Sequence, residues 1–113
     1  MEINTETIDD GIFCIKLAGR LDSEGSRLIE TKMAAYMSGD DRRIIIDLAG
    51  VSFLASLGIR VFLLNAKSVH KRGGKVALYG PVAEVAKVIK MVGIDSLIPL
   101  CDSEDAAKAA VAA

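Results

Sequence analysis

Residues 42–48 read RRIIIDL, with three consecutive isoleucines between a basic pair and a carboxylate. Neighbouring side chains of a strand point to opposite faces, so three apolar β-branched residues in a row need cover on both sides. That selects a layered α/β architecture and excludes a sheet with one face in water. The chain has 113 residues, 51% of them hydrophobic, which suits one domain with one core.

The flanking segments supply the covering layers. Glu2–Thr7 reads as an edge strand, Asp9-Asp10-Gly11 as a turn, and Ile12–Gly19 as the returning strand of a hairpin. From Arg20 the period becomes helical. Asp22 or Ser23 is the N-cap; Leu28, Ile29, Met33, Tyr36 and Met37 line one side, and Gly39 is the stop. A second helix runs from Leu57 to Arg72, with Ser56 as its cap or first residue and Gly73-Gly74 beyond it. KVALYG is a further strand. Pro81 opens a third helix as an N1 proline, with Val82, Val85, Val88, Ile89 and Val92 inward and Gly93 at its end. SLIPL reads as a short edge strand because of Pro99. Residues 102–113 form an alanine-rich helix capped by Asp102, with Asp105 at N3. No internal repeat or linker divides the chain. The expected fold is a mixed sheet of about five strands flanked by about four helices, with right-handed crossovers after the first hairpin.

Composition narrows the function. Fourteen basic and fifteen acidic residues leave no basic excess for phosphate neutralisation, and 4% aromatics offer few stacking platforms, so nucleic acid is not expected as a partner. No stretch approaches the roughly 20 apolar residues that span a bilayer. The acidic start MEINTETIDDG is unlike an export signal, so the expected address is the cytoplasm. Cys14 and Cys101 lie far apart and are expected as reduced, buried thiols. With one histidine, His70, near a helix end, neither a Ser-His-Asp triad nor a zinc site is well supplied. Gly73-Gly74-Lys75 lacks the P-loop spacing. Asp47 ends the isoleucine strand, as in phosphoaccepting receiver domains, but those need an acidic pair after their first strand, whereas Asp9-Asp10 precedes it. Asp47 is expected to bond nearby backbone amides instead. No catalysis, metal or cofactor is implied.

Ser56 is the residue that calls for chemistry. A helix N-terminus carries unpaired N–H groups and about half a positive charge, which stabilises a phosphate. Gly58 removes a side chain where a partner backbone could approach. On a helical projection, Arg60, Leu64, Lys67 and Lys71 form one stripe with Ser56 at its margin, while Phe62, Ala66 and Val69 lie opposite. Leu57, Leu63 and Leu64 border that stripe, which suggests a docking face.

The segments IIIDLAGVSFLASLGIR, LAGRLDSEGS, RGGKVALYGP and MVGIDSLIPL together resemble STAS domains, in particular bacterial anti-sigma factor antagonists. The usual pattern there is a strand, Asp-Leu, a short loop, then Asp-Ser-x-Gly-Leu opening a helix. The resemblance spans nearly the whole chain. It implies a non-enzymatic partner switch: an anti-sigma factor serine kinase binds the unphosphorylated protein and phosphorylates the serine matching Ser56, and a serine phosphatase resets it. Asp22, Ser23, Leu57, Gly58, Arg60 and Leu64 are the implied partner-binding residues. Weak self-association is compatible with it. The chain departs from the pattern at Ala55, where the family has an acidic residue, and at Leu57, where a small one is usual. The alternative is an adaptor without a phosphorylation cycle, as in stress-sensing scaffolds or phospholipid-transport ABC systems.

Overall fold

A computed structural model describes residues 1–9 and 11–112. The strands are β1 (Glu2–Ile8), β2 (Ile12–Leu21), β3 (Arg43–Leu54), β4 (Lys75–Tyr79) and β5 (Leu100–Cys101), and the helices are α1 (Ser23–Met37), α2 (Ser56–Lys71), α3 (Ala83–Val92) and α4 (Glu104–Val111). The sheet order is β1-β2-β3-β4-β5, antiparallel in the first pair and parallel thereafter. Of the expected hairpin turn, Asp10 lies outside the described residues, as does Ala113 of the expected last helix.

The isoleucine triplet does what its pattern demands. Ile44 and Ile46 pack into a core shared with α1, α2 and α3, while Ile45 faces a smaller cluster closed by Ala107 and Val111 of α4. All three are at most 1% exposed. Each helix contributes apolar residues four apart, one above the other on its buried face: Ile29, Met33 and Met37; Phe62 and Ala66; Val85 and Ile89; Ala107 and Val111. The α2 stop is also as expected, with Gly73 at φ 82° and the Gly74 amide donating back to the Val69 carbonyl.

Several boundaries differ from the sequence reading. β3 continues through Leu54, because its second half pairs with the end of β2 across two register slips. Gly50 sits at the first of these, against Ala18 and the Leu17 carbonyl, where a Cβ would collide. α3 starts after Val82, so Pro81 precedes it rather than opening it, and Val82 and Val92 are exposed. Leu28 likewise points outward. The expected SLIPL strand shrinks to Leu100–Cys101, because a 3₁₀ turn at Ile94–Ser96 folds Ile94 and Ile98 into the core. α4 is capped by Ser103, whose Oγ accepts from the Ala106 amide at 3.1 Å, not by Asp102. Among the described residues, no helix is long and apolar enough to cross a membrane.

Candidate functional site

β2 and β3 end side by side, with Leu21 opposite Leu54, and the Ala55 amide donates to the Leu21 carbonyl at 2.9 Å. α1 and α2 therefore start from adjacent strand ends, which brings Asp22 and Ser23 next to Ser56. In a parallel sheet with right-handed crossovers both helices rise from the same edge, so this proximity follows from topology.

The two starts are built alike but finished differently. Asp22 caps α1: its Oδ1 accepts from the Gly25 amide at 2.8 Å. That bond, with the Arg20 guanidinium 3.6 Å from the other carboxylate oxygen, holds the Asp22 carboxyl below its ordinary range. At the start of α2 the cap position is Ala55, with no side-chain acceptor. Ser56 is the first helical residue, not the cap, and is exposed. The amides of this first turn are consequently open to an outside acceptor.

Gly58 differs from expectation. It is buried, and a Cβ there would meet Leu54, Leu21 and the Ser26 Oγ at 2.9–3.2 Å. Its missing side chain lets α2 approach its own sheet and α1, and it offers no atoms to a visitor. Leu57, Arg60 and Leu64 instead meet in a groove of about 350 Å³ between α1 and α2, with Val61, Asn65, Glu30 and Ala34 completing the walls. Leu64 is 55% exposed, whereas Leu63 is partly buried against the main core. Glu30 and Ala34 were not foreseen. They sit one helical turn apart, but only the packing of α1 on α2 turns them toward Arg60.

A second unforeseen group flanks Asp22. Arg20 lies over the Phe53 ring at 4.5 Å, and Met1, Glu24 and Leu28 extend the depression around it. Arg20 and Phe53 are cross-strand neighbours, a pairing legible only once the register is known.

The other candidates lie elsewhere. Asp47 Oδ1 accepts from the Ala49 amide at 2.9 Å, a local turn bond. His70 is exposed in the last turn of α2. Cys14 and Cys101 are both free and buried, and burial pushes the Cys14 thiol up to about 11. Among the described residues, no group of three or more His, Cys, Asp or Glu is placed to hold a metal.

The STAS domain family model matches residues 2–107. A protein of Bordetella bronchiseptica named as the anti-sigma factor antagonist BtrV is 31% identical over 110 residues, 97% of this chain and 94% of the relative. An anti-sigma-factor antagonist (STAS) domain protein from Planctomyces limnophilus superposes with a TM-score of 0.85 at 24% identity, covering 97% of both chains. The Bacillus cell fate determinant SpoIIAA in its phosphorylated form superposes with a TM-score of 0.69 at 23% identity, covering 93% of this chain and 96% of that one.

Proposed function

The chain belongs to the STAS domain family of anti-sigma factor antagonists, and on that premise we propose that it works by partner switching in the cytoplasm, without catalysis of its own. An anti-sigma factor serine kinase docks over the start of α2 and along the groove of Leu57, Arg60 and Leu64, with Asp22 and Ser23 at its border. The kinase phosphorylates Ser56, and a serine phosphatase reverses the step. The observation that carries this reading is an exposed serine at an uncapped helix start, next in sequence to Leu57, which lines the groove between α1 and α2. SpoIIAA, known in unphosphorylated and phosphorylated forms, supports it.

The sign of the switch follows from charge. Phosphate adds about −1.5 to −2 at neutral pH. The open amides of α2 stabilise that charge within the protein. At the interface it would have to be desolvated against leucines, which is unfavourable, so phosphorylation releases the kinase.

The test is incubation with the cognate kinase and ATP, followed by phosphosite mapping, with kinase affinity measured for Ser56→Ala and Ser56→Asp. The expected outcome is modification at Ser56, retained binding by Ser56→Ala and weakened binding by Ser56→Asp. Modification only at another serine, or none, overturns the switch. It leaves the adaptor reading, which is favoured by Ala55 standing where the family has an acidic residue.

A further inference from the structure

α2 contains no aspartate or glutamate, and neither does any residue between Asp47 and Glu84, although the chain has fifteen acidic residues. Along α2, Leu57, Arg60, Leu64, Lys67 and Lys71 follow one another at intervals of three and four. That spacing keeps side chains in a single line on a helix and is the one a second helix packs against. Leu57 is half-buried and the other four are exposed. Among the described residues, no carboxylate lies within ion-pair distance of Arg60, Lys67 or Lys71. Glu30, the one carboxylate lining the groove between α1 and α2, leaves Arg60 unpaired. Lys67 and Lys71 stand four residues apart, where like charges repel. The helix dipole accounts for Lys71 in the last turn, but not for Lys67, nor for Arg60 near the positive end.

From this line we infer that the partner presents an acidic amphipathic helix to α2, with apolar side chains over Leu57 and Leu64 and carboxylates opposite Arg60, Lys67 and Lys71. This deepens the partner-switch reading, on which it rests, by giving the chemistry of the element that docks. From Leu57 to Lys71 the line is about 21 Å long, four turns of a partner helix. Apolar anchors at helical spacing in a groove are the usual mode of helix recognition, and the unpaired cations set the sign of the flanking charges. A second copy of the chain does not supply such a helix. The exposed faces of α1 and α3 mix both signs, as at Glu30 and Lys32 or Glu84 and Lys87, and α4 has only eight residues. A nucleic acid would neutralise the cations but leave the leucines without apolar cover, and a flat bilayer does not enter a groove between two helices. Phosphate on Ser56, beside Leu57, adds negative charge at one end of the line, so the same helix is repelled from it.

The experiment titrates two synthetic helical peptides into the whole chain, followed by NMR. Both carry leucines at three- and four-residue spacing, one with glutamates between them and the other with lysines. In parallel, the association rate of the cognate kinase is measured from low to high salt. The glutamate peptide is expected to shift the amides of α2 and of the α1 wall at Glu30 and Ala34, and the lysine peptide to leave them unmoved. Kinase association should slow as salt rises. Lys67→Glu combined with Lys71→Glu should weaken the glutamate peptide, and slow the kinase, by at least about tenfold. Both positions are exposed, so an unchanged melting temperature checks the fold, and Lys67→Gln should give a smaller loss of the same sign. Equal binding of the two peptides, or of the glutamate peptide to wild type and double variant, overturns the acidic helix. So does a preference for an oligonucleotide or for anionic vesicles over the glutamate peptide. A kinase that associates equally fast with wild type and double variant overturns it for that partner. A kinase that binds neither form overturns the partner-switch reading instead, and the peptides still decide the chemistry of the α2 face.

Discussion

The starts of α1 and α2 are two versions of one local design. Leu21-Asp22-Ser23-Glu24-Gly25 and Leu54-Ala55-Ser56-Leu57-Gly58 put the same residue types at the last strand position, the first helical residue and the third. They differ at two places. α1 has a carboxylate at the cap and another in its first turn; α2 has alanine and leucine. The first start satisfies its own dipole, whereas the second is electrically open and apolar at its rim. On that difference rests the proposal that Ser56, of two exposed serines at equivalent positions, is the one to carry a phosphate.

The largest expected effect separates the two glycines. A Cβ on Gly25 would run into the Arg20 carbonyl oxygen, a backbone atom that cannot step aside. The nearest obstacle at Gly58 is the end of the Leu54 side chain. Gly25→Ala should cost about 3 kcal/mol or more, and Gly58→Ala about 1–3 kcal/mol, read from urea midpoints. Equal losses would mean that the two helix starts are packed equally tightly.

Next in size is a direct conversion of one start into the other. Ala55→Asp should raise stability by about 0.5–2 kcal/mol by supplying the missing cap. It should also reduce any stabilisation gained on phosphorylating Ser56, because carboxylate and phosphate would compete for the same amides. Additive effects in thermal melts would break the comparison.

A smaller gain is expected from Ser56→Asp, about 0.3–1 kcal/mol from the helix dipole alone, in the same melts. Destabilisation there would show that the start of α2 is not open to an anion.

The last effect is one of pH. The Asp22 carboxyl sits below its ordinary value of 3.8, so its contribution is present above that value and is lost as pH falls through the lower native one. The stability gap between wild type and Asp22→Ala should therefore be constant near neutrality and close in acid. Ala55→Asp should acquire a dependence of the same sign. A gap that persists in strong acid would assign the role of Asp22 to packing rather than to charge.

Features that depend on local pattern were legible in the sequence. The buried triplet, the glycine stop of α2, a cap at Asp22 or Ser23 and the sidedness of Phe62, Ala66 and Val69 all follow from spacing. Features set by a distant neighbour were not. AGVSFL looks like a loop until the end of β2 pairs with it, and Gly58 looks open until Leu21, Leu54 and Ser26 converge on it from three elements. Leu28 shares the helical period of the core residues, but it borders the open depression around Arg20 and Asp22. Ser103 and Asp102 are both good caps, and nothing local distinguishes them. The likeness of the two five-residue helix starts was in plain view, but it is too short to register as a repeat.

Sheet order has a further consequence, for how the chain reaches its fold. Every strand lies beside its predecessor in sequence, so each new strand closes only the loop just made and never waits for a remote segment. Such assembly keeps the entropy of loop closure small at each step and favours rapid folding for a parallel sheet. It also gives synthesis a natural order. By the time Gly74 has left the ribosome, β1, β2, β3, α1 and α2 can already have docked, so Ser56 and its groove can take shape while the last third of the polypeptide is still inside the ribosome.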